Sequence, residues 1–239
     1  MGVVAKIRTV SEAKRAFYDQ YRRPINSIYR RFVEELLVEI HLLTVNVDFR
    51  YDPVFALGVV TAFDRFMKGY QPEEDKASIF TALIQSIAGN PNQYQQDAQA
   101  ILQSGQTLSF TDLADQLAQN QTTESEHHLL GQTLNRIRQT TNFKYSRAFA
   151  IGLYTLITES DSECKNSEEK RNLLLNQLAV TLNCSEDKLQ KDLDLYRSNL
   201  DKVDQLLTVL EDVAEAERKK REKLVQTSSP SDSASSSTP

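Results

Sequence analysis

Residues 49–58 read FRYDPVFALG, and residues 143–152 read FKYSRAFAIG. Phe, Tyr, Phe, Ala and Gly match across 94 residues, while Arg/Lys and Leu/Ile are chemically alike. In the first copy Asp52-Pro53 is a helix start, a capping carboxylate followed by a first-turn proline. Both copies open apolar runs, Val54–Phe63 and Ala148–Ile157, bounded by charge and each interrupted by a glycine. Runs this short fall below the roughly 20 apolar residues of a membrane span and read as buried core helices. Gly58 and Gly152 would let two such helices approach closely. The similarity continues with a one-residue shift, Glu73-Glu74 answering Glu168-Glu169, and Ile79, Phe80, Leu83 and Ile87 answering Leu174, Leu175, Leu178 and Leu182. Two related helical half-units, 49–88 and 143–183, are one explanation; convergence of two buried helices on similar composition is the other.

Outward from this pair, helical periodicity dominates and β-alternation is nearly absent. Ser11 is a candidate cap for a first helix to about Tyr21, and Pro24 resets the chain. Ile25, Ile28, Phe32, Leu36, Ile40 and Leu43 then fall three or four apart, one apolar stripe on a long helix. Pro72 with Glu73, Glu74 and Asp75 marks another start, Asn90-Pro91 a third, and Gly69, Gly89 and Gly105 mark ends. Shorter helices are expected from about Phe110 and from Thr123, which has capping-box spacing to Glu126. Further helices follow over 144–159 and 168–183. From near Ser185 no breaker occurs until about Val225. Leu189, Leu193, Tyr196, Leu200, Val203, Leu207, Leu210 and Ala214 are spaced 4, 3, 4, 3, 4, 3, 4, a heptad seam. At 1.5 Å per residue that helix would reach on the order of 60 Å. The expected fold is all-α: a single multi-helix bundle over 1–184, a long projecting C-terminal helix over 185–225, and a disordered Ser-rich tail over 226–239.

Composition limits the chemistry. A net charge of −5 argues against nucleic-acid binding, which needs a basic surface. Two cysteines, Cys164 and Cys184, make no disulfide framework and suit a reducing compartment. The seven glycines are too scattered to cradle a phosphate. Glu124-x-x-His127 has the spacing of a di-iron half-site, but a bundle site needs two such pairs and further carboxylates. Glu39 and His41 face different ways, and so do the adjacent His127 and His128. The acidic stretch 161–169 reads as a loop without the order of a calcium site. We therefore expect no cofactor, no metal and no catalytic residues.

One surface cluster stands out. Lys14, Arg15, Arg22, Arg23, Arg30 and Arg31 interleave with Tyr18, Tyr21 and Tyr29. Arg with Tyr is the composition of interface anchors, and a basic face also suits anionic lipid. The structural alternative is intrahelical pairing, Arg30–Glu34 and Arg31–Glu35, each contributing about 0.2–0.5 kcal/mol. The candidate partner-binding residues are Arg22, Arg23, Tyr29, Arg30 and Arg31. To these we add Glu215, Glu217, Arg218, Lys219, Lys220 and Arg221 on the charged end of the last helix, which has no seam left.

The stretches RTVSEAKRAFYDQYRRPINSIYRRFVEELLVEIHLL (8–43) and FRYDPVFALGVVTAFDRFM (49–67) resemble the thylakoid formation protein family. The resemblance extends through 143–152 and the long last helix to about Lys223. It implies a non-enzymatic helical protein of photosystem II biogenesis and repair, associated with membrane-bound FtsH-type proteases and supporting their accumulation. Direct contact with photosystem II subunits, pigment or thylakoid lipids is the alternative it leaves open. The family pattern begins by about Arg8, leaving no room for a transit peptide, so a cyanobacterial protein, or a mature form, on the cytoplasmic side of the thylakoid, soluble or peripheral, is expected.

Overall fold

The computed structural model describes residues 8–106, 129–160 and 162–227, with side chains to Lys220 apart from residues 162, 163, 210, 211, 213 and 214. The expected helices near Phe110 and Thr123, the Glu124-x-x-His127 pair and the tail beyond Thr227 lie outside the described residues.

Every regular element among the described residues is an α-helix. In chain order these are α1 (Val10–Gln20), α2 (Ser27–Thr44), α3 (Pro53–Phe66), α4 (Asp75–Ser86) and α5 (Pro91–Gly105). They continue as α6 (Leu129–Gln139), α7 (Arg147–Ser160), α8 (Ser162–Asn166), α9 (Glu168–Thr181) and α10 (Glu186–Thr227). The chain divides into two compact units, one to Arg197 and one from Ser198, and α10 runs through the division.

The first unit is organised on α3 and α7, the helices that the matched decapeptides open. A side chain at Gly58 would collide with the Ala148 carbonyl, and one at Gly152 with the Val54 carbonyl. Only hydrogen at both Cα positions permits this packing. Residue 148 stands 94 after 54, as 152 does after 58, so the contact is reciprocal, like that across a two-fold axis. Two apolar cores flank the pair. Phe55, Ala56, Val59 and Phe63 of α3 join Phe17, Val33, Leu37, Ile79 and Leu83, together with Ala148. Phe149, Leu153, Leu156 and Ile157 of α7 join Leu134, Leu175, Leu178, Leu189 and Leu193, together with Val54.

The two halves agree in detail. Asp52 caps α3 by accepting from the Phe55 N–H at 2.9 Å, and the Ser146 hydroxyl accepts from the Phe149 N–H at 3.0 Å. Tyr51 donates to Asp97 at 2.8 Å and Tyr145 to Asp192 at 2.9 Å. Phe49–Phe55 and Phe143–Phe149 both cross edge-on at 4.9 Å. Past α4 and α9, Ala88 and Asn183 adopt left-handed φ of 62° and 55°. The next N–H in each copy then closes the helix, Gly89 on the Ile84 carbonyl and Cys184 on the Ala179 carbonyl. Asn90 and Ser185 cap α5 and α10 in turn.

Several local readings change. Thr9, not Ser11, caps α1, because Glu12 is placed to return a bond to the Thr9 N–H and complete a capping box. The buried face of α2 is Tyr29, Val33, Leu37, Ile40, His41 and Leu43. Ile28, Phe32 and Leu36 form a half-buried flank, since the apolar arc is wider than one stripe. The acidic stretch expected as a loop contains the short helix α8. Helix α10 continues through Gln226 and Thr227, where the tail was expected to start. No helix among the described residues is long and apolar enough to cross a membrane.

Candidate docking groove

The solvent side of α2 carries charged residues in the first unit. Glu34 accepts from Lys14 at 2.7 Å and from the Tyr18 hydroxyl at 2.6 Å. These charge-assisted bonds hold its carboxyl below the usual range. The expected Arg30–Glu34 pair is thereby pre-empted by α1, which packs alongside. Arg31 does pair with Glu35, at 2.9 Å. One turn on, Glu39 takes two guanidinium N–H groups of Arg147. The Ser146 cap places Arg147 in the first turn of α7, so this bridge ties α2 to the second half.

Between these walls runs a groove of about 860 Å³, lined among others by Lys14, Arg30, Glu35, Val38 and Leu42. A second hollow of about 420 Å³ shares Glu39, Leu42 and Arg147 with it and adds Lys144, Lys188 and Asp192. Leu42, at the junction, is 56% exposed. The Lys188 ammonium lies 4.9 Å from the centre of the Tyr145 ring, whose hydroxyl is spent on Asp192. Salt bridges already close on Lys14, Arg31 and Arg147. Arg30, Lys144 and Lys188 have no carboxylate bond among the described residues.

The sequence-derived candidates separate. Arg30 and Arg31 line the groove. Arg23 instead pairs with Asp75 beside the buried Tyr21 hydroxyl, and Arg22 donates to the Asp19 carbonyl at 3.2 Å. Tyr29 is core, not surface: it is 5% exposed and donates to the Lys68 carbonyl at 3.0 Å. In the second unit Glu215 pairs with Lys219 at 2.7 Å, and Glu217, Arg218 and Lys220 are exposed; the Arg221 side chain lies outside those described. Lys144, Arg147, Lys188 and Leu42 were missed, since they meet only in the fold. The one available signal is that 143–147 flank a predicted helix start.

Neither thiol is set up for reactivity. Cys164 is buried, and burial pushes Cys184 up to about 11, the wrong direction for a thiolate. No grouping of His, Cys, Asp and Glu among the described residues could hold a metal ion.

Comparison with known proteins adds the family. The profile described as Thylakoid formation protein matches residues 9–224. A Protein Thf1 of Crocosphaera subtropica is 58% identical over 215 residues, covering 90% of this chain and 87% of that one. One from Synechocystis is 56% identical over 227 residues, covering 95% and 94%. A solved structure of Psb29 superposes with a TM-score of 0.76 at 47% identity, over 90% of this chain and 98% of that one. With fold, sequence and nearly full-length coverage in agreement, this chain belongs to the thylakoid formation protein family.

Proposed function

We propose that this protein is a non-enzymatic accessory factor of photosystem II repair and thylakoid biogenesis, binding membrane-bound FtsH-type proteases and supporting their accumulation. The observation that supports the reading is the α2 groove. It presents an exposed leucine beside Lys144 and Lys188, which make no carboxylate bond among the described residues, as a surface kept for another molecule would. Residues 215–220, exposed and dense in charge, offer a second contact. We place it at the cytoplasmic side of the thylakoid as a peripheral protein; no helix among the described residues is long and apolar enough to cross the membrane. A tagged full-length chain recovered from mildly solubilised thylakoids tests the reading. We expect FtsH-type subunits to be recovered with it, and fewer of them in cells lacking the protein. Their absence from the eluate would refute direct binding.

A second reading, direct attachment to lipid, draws on the exposed Leu42 and Val47. Flotation with vesicles of galactolipid and phosphatidylglycerol, with no other protein present, separates the two.

A further inference from the structure

We infer that the α2 groove takes an acidic amphipathic helix from a partner protein, seated on Leu42 and held by Arg30, Lys144 and Lys188. The inference rests on the accessory-factor reading and names the chemistry of its contact.

Three features define the occupant. The first is length: the lining follows α2 from Ser27 to its end at Thr44, about 26 Å at 1.5 Å per residue, the reach of a helix of roughly five turns. The second is an apolar line: Val38 and Leu42 lie four apart on the groove side of α2, and Leu42 is more than half exposed at the point where both hollows meet. A partner helix would place its own i, i+4 apolar residues there. The third is charge. The acids Glu34, Glu35 and Glu39 are each engaged by a cation of this chain, and Tyr145 donates to Asp192. Arg30 near one end attracts Glu34 through space only, and neither it nor Lys144 and Lys188 near the other end makes a carboxylate bond among the described residues, so all three can meet a partner's carboxylates.

An anionic membrane surface fits less well. It is flat where this site is concave, and the carboxylates on the walls would be forced against its charge. A protein helix reaches the cations without meeting those acids, because its carboxylates can be spaced to avoid them.

The test uses the full-length chain carrying a photoreactive benzoylphenylalanine in place of Leu42, irradiated in a living cyanobacterium, with the adduct mapped by mass spectrometry. The expected adduct is a peptide with carboxylates at helical spacing flanking apolar residues. It should fall at least tenfold in Lys144→Glu/Lys188→Glu and persist in Lys144→Arg/Lys188→Arg. Both double variants should stay folded, the replaced side chains being on the surface, with Lys144→Glu/Lys188→Glu melting slightly lower because Lys188→Glu loses the contact with the Tyr145 ring. An adduct on lipid, on a segment without carboxylates, no adduct, or an adduct indifferent to charge reversal would overturn the inference. Recovery of protease by the parent chain is scored separately. Protease recovered equally by the charge-reversed chain defeats the groove but not the function, whereas a charge-dependent adduct on a different protein defeats the protease reading but not the groove.

Discussion

At residue scale the most constrained atoms are the absent ones at Gly58 and Gly152. A methyl at either would overlap a backbone carbonyl of the opposing helix, and backbone cannot swing aside as a side chain can. We expect Gly58→Ala and Gly152→Ala each to cost about 3 kcal/mol or more, seen as a shifted urea midpoint. Leu42→Ala, on the surface, should stay within about 0.5 kcal/mol of the parent. Asp52 offers a pH-dependent counterpart. Burial raises its carboxyl from the ordinary 3.8 to about 6, against the Phe55 and Val54 N–H groups that lower it. Well below pH 3.8 the group is protonated folded or unfolded and contributes no pH dependence. Between there and pH 6 the folded chain holds the proton more tightly, so stability falls as pH rises and levels off above. Asp52→Asn keeps a capping oxygen and removes the buried charge. It should be more stable by about 1–3 kcal/mol at pH 7.5, with the advantage shrinking below pH 6 and gone well below pH 3.8; a gain that did not shrink on acidification would contradict this.

At the scale of elements, the helices were largely legible, because period, proline and glycine agree at most boundaries. The close approach of α3 and α7 was legible too, as the glycines repeat at the same place in matched segments. What escaped was competition among local partners. Ser11 and Thr9 both qualify as caps by residue type, and only the return bond from Glu12 decides between them. Thr9→Ala should therefore cost about 1 kcal/mol and Ser11→Ala a few tenths, by thermal melts of the two variants. Equal losses would place the cap elsewhere. Likewise, Arg30–Glu34 has helical spacing but loses to Lys14 and Tyr18, which reach Glu34 from another helix. The groove was the least legible feature, since Glu39 and Arg147 are 108 residues apart and nothing local announces their meeting.

Across the whole molecule, the two cores of the first unit are not independent, for Ala148 of α7 joins the core built on α3, while Val54 and Leu57 of α3 join the one built on α7. Opening either exposes α3 or α7 on both sides. Hydrogen exchange under native conditions should report the same opening free energy for amides of α3 and α7. A difference above about 1 kcal/mol would show two separately cooperative halves. If the groove seats an acidic helix as proposed, its affinity should weaken with added salt, as the Debye length falls from about 10 Å at 0.1 M.

The reciprocal glycine contact also sets a clock on biosynthesis. Gly58 leaves the ribosome 94 residues before the glycine it must meet, which at about 5–20 residues per second is roughly 5–20 s. For that interval α3 has its carbonyl-lined seam open and no helix to close it. The nascent chain should therefore leave that face uncovered until its second half arrives, and slow codons between the two segments would lengthen its exposure.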